Sequence, residues 1–250
     1  MKVLCVPLLA LVLAGGIAAP AATGEEPVAI TVATDATWPP MEMVDENKNI
    51  IGFDIDFMNA VAKEVGLVVT YKNTAWDGIF AGIALGKYDA IVSSVTILKE
   101  RNKLMDFSIP YMKAGQVLIV PKECDNVTVL TDLAEGSKVG AQFGTTGSFE
   151  IKKIAGLELK AYADIGLAFE DMVVGRIDAV VCDTPAAENY ALKRPQYAER
   201  FKIVGQPFTE EYYGVAVRKG NKRLLDLINR GIRAVKEKGI LAELEEKWLR

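Results

Sequence analysis

Between Tyr88 and Arg101 the chain reads YDAIVSSVTILKER. Ala90-Ile91-Val92 is a short apolar run fit for a buried strand. It opens onto Ser93, Ser94 and Thr96, three hydroxyls within four residues, and Arg101 follows five positions later. Open α/β sheets bind ligands just beyond the carboxyl ends of their strands. Hydroxyls at such an end, with a guanidinium downstream, suit a small carboxylate: arginine offers a planar two-pronged donor and the hydroxyls complete the hydrogen bonding. The plainer alternative is a surface turn whose arginine is solvated.

A second stretch has the same grammar. Gly175-Arg176-Ile177-Asp178-Ala179-Val180-Val181-Cys182-Asp183 and Gly86-Lys87-Tyr88-Asp89-Ala90-Ile91-Val92-Ser93-Ser94 both run glycine, base, bulky residue, Asp-Ala, apolar strand and polar strand end. Either this echo is chance or the two stretches are corresponding parts of two similar lobes. Trp38 and Trp76 each follow a strand and are expected on loops. They either sandwich a ligand side chain or belong to the core. As a sandwich, their faces favour a guanidinium, an ammonium or a planar amide by about 0.5–2 kcal/mol per contact. Asp35 beside them adds a preference for a basic head.

The chain contains no histidine. Ser-His-Asp and Cys-His catalysis are therefore excluded, and the commonest transition-metal ligand is missing. The cysteines and acids show no metal spacing, so neither metal nor cofactor is expected. With 250 residues, half apolar and a quarter charged, the chain has the composition of a globular protein of one large or two modest domains. Residues 1–22 carry Lys2, an unbroken apolar run over residues 3–14 and Ala19-Pro20-Ala21, the pattern of a cleavable secretory signal. Its removal takes the formal charge from −4 to −5. Mild acidity without a basic cluster argues against nucleic acid. Cys124 and Cys182 then remain in an oxidising compartment, where a disulfide is one option.

These groups must be positioned by the elements around them. Residues 29–33 read as a strand that delivers Asp35. Asp54 is expected to cap a helix with Ile55, Met58, Val61 and Val65 on one face, closed by Gly66. A strand over residues 67–71, a helix capped by Asp77 and the Ala90 strand complete a doubly wound βαβαβ half-sheet. Residues 115–120 and 139–142 read as strands, with Thr146 as N-cap of the next helix. A helix from Ala163 leads to the strand ending at Asp183. Residues 213–217 read as a strand, followed by helices broken at Gly239. The tail is assigned back to the first lobe. This divides the mature chain into lobe 1 (27–110 plus 214–250), lobe 2 (116–208) and two hinge crossings (111–115 and 209–213).

In this order the residues resemble the bacterial amino-acid-binding proteins of ABC importers, solute-binding protein family 3. The resemblance is carried by Ala33-Thr34-Asp35 with Trp38-Pro39-Pro40 and Glu42, by Gly52-Phe53-Asp54-Ile55-Asp56, and by Thr96-Ile97 with Glu100-Arg101. It continues through Asp106-Phe107-Ser108, Pro110-Tyr111, Gln142-Phe143-Gly144-Thr145-Thr146-Gly147, Asp178-Ala179-Val180 with Asp183-Thr184-Pro185, and Tyr213-Gly214-Val215-Ala216. It implies a type II periplasmic clamshell of two α/β lobes with an L-amino acid between them, delivered to a membrane permease. Arg101 would then grip the α-carboxylate with the Thr96 amide and the Thr145–Thr146 loop amides, where a helix N-terminus favours an anion. Asp183, with Thr96 and the Ser94 carbonyl, would take the α-ammonium. Asp35, Trp38, Trp76, Ser93 and Gln142 would line the side-chain pocket, favouring arginine or lysine, then glutamine or histidine. Gln142 is neutral where some relatives carry a cation, and Cys182 has an unsettled contact. The protein is read as a periplasmic monomer. The competing reading is an enzyme on the same scaffold, resembling cyclohexadienyl dehydratases, with Asp183, Glu188 or Glu210 as general acid.

Overall fold

The structure is a computed structural model that describes residues 28–250. The expected secretory signal lies outside the described residues. Two five-stranded sheets organise the chain. In the first, strand Val28–Thr34 pairs in parallel with Leu67–Asn73 on one side and Ala90–Ile91 on the other. Ala216–Arg218 then joins antiparallel and is followed by Met105–Phe107. In the second, Lys138–Gln142 lies parallel to Glu158–Tyr162 and Ala179–Asp183, and Gln116–Pro121 and Phe201–Val204 add antiparallel. The third strand is Ala90–Ile91 in one sheet and Ala179–Asp183 in the other. The echo between residues 86–94 and 175–183 is thus a topological equivalence.

Two antiparallel segments, Met112–Ala114 and Glu211–Tyr213, pair outside both sheets where the chain passes between lobes. The expected strand over 213–217 is broken here. Glu211–Tyr213 belongs to the crossing pair, and after Gly214 the chain re-enters the first sheet at Ala216–Arg218.

The first sheet is covered by helix Phe53–Val65, whose inward Phe53, Phe57, Met58 and Val61 are fully buried. Helix Lys222–Glu237 packs across it. Gly231 permits the close approach, since a Cβ there would stand 2.7 Å from the Val61 carbonyl oxygen. Helix Ile240–Leu249 is pinned to the same partner by Trp248 Nε1, which donates to Asp56 Oδ2 at 2.8 Å. The tail therefore completes the first lobe's helical layer.

Local expectations fail where tertiary contacts outweigh capping propensity. Gly52, not Asp54, stands at the N-cap of Phe53–Val65, and Asp54 points into the core. Ala75 rather than Asp77 precedes helix Trp76–Ala84, so Trp76 begins a helix instead of lying on a loop. Trp38 also leaves the expected loop: Thr37–Trp38 pairs with Glu42–Val44 and Ile50–Ile51 in a small three-stranded sheet. Thr145, not Thr146, caps helix Thr146–Lys153, its Oγ1 accepting from the Ser148 amide at 3.3 Å. Cys124 and Cys182 are both free.

Candidate functional site: a polar cavity between the lobes

Facing strand ends of the two sheets enclose a narrow polar cavity between the lobes. All eleven residues singled out above line it. Asp35, Trp38, Trp76, Ser93, Ser94, Thr96 and Arg101 come from the first lobe, and Gln142, Thr145, Thr146 and Asp183 from the second. Glu42 is the twelfth.

Arg101 opens a single turn of 3-10 helix and is 8% exposed. Its Nη1 donates to the Thr96 carbonyl at 3.0 Å, and Nη2 reaches across to the Gly144 carbonyl of the other lobe at 3.3 Å. Its guanidinium lies 5.4 Å from the Trp76 ring centre and 4.9 Å from that of Phe80. Trp76 therefore supports the buried cation as well as lining the cavity. Burial pulls the Arg101 pKa down to about 10, opposed by the charges of Asp183 and Glu211, and the group stays charged near neutrality.

Asp183 ends its strand in the opposite lobe, 5% exposed. Gln116 Nε2 donates to its Oδ1 at 2.9 Å and to Thr146 Oγ1 at 3.0 Å. Burial, with the like charge of Glu211, raises the Asp183 carboxyl to about 7. Cys182 points the other way into the core, and burial pushes its thiol up.

At the far end Asp35 joins the lobes. Its Oδ2 accepts from Gln142 Nε2 at 3.0 Å, and its Oδ1 from Thr37 Oγ1 at 2.9 Å. Burial raises its carboxyl while these hydrogen bonds pull it back. Ser93 bridges behind it, accepting from the Asp35 amide at 2.9 Å and donating to Glu42 Oε1 at 2.8 Å.

Beneath this floor Glu42 and Asp54 form a buried acid pair. Desolvation and the Asp54 charge push Glu42 well above the usual carboxylate range, and burial lifts Asp54 to about 6. Asp54 accepts from the Ser94 amide at 2.6 Å and from the Tyr111 hydroxyl at 2.8 Å. It thereby holds Ser94 at φ 46°, a left-handed turn that costs a non-glycine residue on the order of 1–2 kcal/mol. The reading of Asp54 as a cap missed this function.

Four groups escaped the sequence reading of the site: Glu42, Gln116, Glu211 and the Asp54–Tyr111 pair. Glu42 and Asp54 stood inside quoted motifs, but nothing in their spacing placed them under the cavity. Gln116 and Glu211 lie on segments read only as strand and crossing. Of the three carboxyls considered as general acids, Asp183 alone lines the cavity. Glu188 and Glu210 are exposed, and Glu210 pairs with Lys113 at 2.9 Å.

Two α/β lobes closing on a cavity with a buried cation on one side and a buried acid on the other define a type II periplasmic binding-protein fold. The chain belongs to the bacterial extracellular solute-binding proteins, family 3, which it matches over residues 30–250. It is 35% identical over 221 residues to a probable histidine-binding protein of Neisseria gonorrhoeae, covering 87% of this chain and 81% of the relative. An ancestral arginine-binding protein bound to arginine superposes with a TM-score of 0.84 at 40% identity, over 90% of this chain and all of its own. An ancestral amino-acid-binding protein described as a precursor of cyclohexadienyl dehydratase gives 0.82 at 37%, over 89% of this chain and 96% of its own. Further relatives are named as cystine-, arginine- and glutamine-binding proteins, some of them of ABC transporters.

Proposed function

We propose that this chain is an exported receptor that captures a polar or basic L-amino acid between its lobes and delivers it to an ABC permease. Arginine or lysine is favoured, with glutamine or histidine next. The observation that carries the reading is the opposition of Arg101 and Asp183 across one cavity, two buried charges on different lobes. A zwitterion satisfies both only when the lobes are together, so binding favours closure, and closure is a signal that a transporter can sense. Lobe 1 is taken as 27–110 plus 214–250, lobe 2 as 116–208, and the hinge as 111–115 with 209–213.

The ligand class rests on charge. Asp35 and Asp183 face the cavity and Asp54 underlies it, and among the described residues Arg101 is the one cation lining it. A ligand with a second positive charge offsets this excess; a second carboxylate adds to it. The names of the relatives, arginine and histidine among them, agree.

The test is a melting-temperature screen of the purified protein against the twenty amino acids. A ligand that binds only the folded state raises its melting point, by about 2.7 kcal/mol of added stability at a hundred times Kd. Arginine or lysine should give the largest shift and glutamate none. No shift with any amino acid contradicts the receptor reading. The dehydratase reading draws support from one observation, the Asp183 carboxyl raised to about 7. Release of an aromatic product from a cyclohexadienyl substrate would establish it, and the receptor reading expects none.

A further inference from the structure

Glu211 lies in neither sheet. It sits on the crossing segment Glu211–Tyr213, 6% exposed, and its two oxygens accept three hydroxyl hydrogen bonds. Oε2 takes Thr96 Oγ1 from the first lobe at 2.8 Å and Thr146 Oγ1 from the second at 2.8 Å. Oε1 takes Thr209 Oγ1 at 2.8 Å. The backbone holds this arrangement. Thr96 bridges to Tyr213, and the Ile97 amide donates to the Tyr212 carbonyl at 2.9 Å, so the hydroxyl loop runs alongside the crossing strand.

We infer that Glu211 is a positioning residue for the ligand's α-ammonium, turning the Thr96 hydroxyl into a pure acceptor beside Asp183; this rests on the receptor reading above. A hydroxyl has one proton and two lone pairs. With that proton committed to Glu211, Thr96 Oγ1 offers the cavity lone pairs alone. These accept from an N–H and repel a carboxylate oxygen. Thr146 Oγ1 is committed the same way and also accepts from Gln116, which in turn holds Asp183 Oδ1. Glu211 thus orients two of the acceptors expected at the ammonium, Thr96 directly and Asp183 through Thr146 and Gln116. Glu211 adds a second negative charge at that end, close enough to Asp183 to oppose its ionisation.

The alternative is a plain clamp, in which one carboxylate holds a hydroxyl from each lobe whatever lies between. A paired-ligand titration separates the two roles. Glu211→Gln removes the charge and exchanges one acceptor oxygen for an N–H donor, which loosens its hold on the threonine protons. Wild type and variant are titrated calorimetrically with L-arginine and with 5-guanidinopentanoate, which lacks only the α-amino group. The inference expects about a 30-fold loss for L-arginine and less than about threefold for the desamino compound. Equal losses for both compounds mean a clamp and overturn it, as does no loss for either. If Glu211→Gln fails to fold, Thr96→Val takes its place, because it removes the oriented hydroxyl; it should show the same selectivity for the amino compound, and equal losses overturn the inference. In a double-mutant cycle the Glu211→Gln and Thr96→Val losses should be less than additive. Wild type is titrated first with L-arginine, L-lysine, L-glutamine and L-histidine, then with the other proteinogenic amino acids. If none binds, the receptor reading fails and the inference with it. If another amino acid binds instead of arginine, that amino acid and its desamino analogue replace the arginine pair.

Discussion

Residues 86–94 and 175–183 hold the same place in their sheets, each the third strand, parallel to the second and antiparallel to the fourth. They end differently. In the first lobe the strand runs out into Ser93 and Ser94, a hydroxyl floor held from below by Glu42 and Asp54, and the lobe's charge arrives later, at Arg101. In the second lobe the charge stands at the strand end itself, as Asp183, steadied by Gln116. The two anchors also differ in how firmly they stay charged. Arg101 is backed by two aromatic rings and two carbonyls, and its pKa of about 10 keeps it charged near neutrality. Asp183, at about 7, is poised. The cation side is fixed, and the acid side waits for its partner.

The comparison is broken most severely by removing the fixed side. Arg101→Ala should weaken amino-acid binding on the order of a thousandfold by calorimetry, through loss of a charge-assisted two-pronged contact. Arg101→Lys should recover only part of it, because an ammonium cannot reproduce the fork. An affinity within a few fold of wild type for Arg101→Ala would move the carboxylate elsewhere.

Removing the poised side should be milder and should alter the pH response. An ammonium pairs with ionised Asp183. Above pH 7 that form is already present in the empty cavity; below it, binding must displace a proton. Affinity should therefore be flat above about pH 7 and fall by up to about tenfold per unit towards pH 5, with proton release seen as buffer-dependent heat. Asp183→Asn should cost about a hundredfold at pH 7.5 and flatten the profile. Ligand-free stability should run in the opposite sense. Asp183 and Asp54 have folded values raised to about 7 and about 6, so the unfolded chain binds fewer protons between pH 4 and 7 and stability falls as pH rises. Melting points that rise across that window in wild type and fall in Asp183→Asn would contradict the assignment.

How much of this was legible beforehand follows the range of the interactions. The echo between the two strands was visible because helix-glycine-strand grammar is local; the ordered motifs held eight of the eleven cavity residues, and Ser93, Ser94 and Trp76 were read from their places after strands. Asp54 was misread because an acid two residues after a glycine looks like a cap. Its true partners, the Ser94 amide and the Tyr111 hydroxyl, are 40 and 57 residues away. Glu211 was invisible for the same reason: the two cavity threonines it holds, Thr96 and Thr146, lie 115 and 65 residues off in sequence. Trp76 was expected to face the ligand, and its contact with Arg101 depends on the helix it begins.

Smaller effects sharpen the side-chain end. Asp35→Asn should narrow the preference for arginine over glutamine by about tenfold or less in competition, since Asp35 also accepts a neutral amide, as it does from Gln142. Gly147→Ala should weaken binding by a few fold, because its Cβ would stand 2.7 Å from Gln116 Oε1 and displace the residue that orients Asp183.

The central claim is that one ligand must satisfy both lobes at once. Titrating the wild-type protein with L-arginine, with agmatine, which lacks the carboxylate, and with 5-guanidinopentanoate, which lacks the ammonium, tests it most directly. L-arginine should bind at least about a hundredfold tighter than either half-ligand. If agmatine or 5-guanidinopentanoate binds as tightly as L-arginine, Arg101 and Asp183 are not a paired anchor, and the account of closure built on them is wrong.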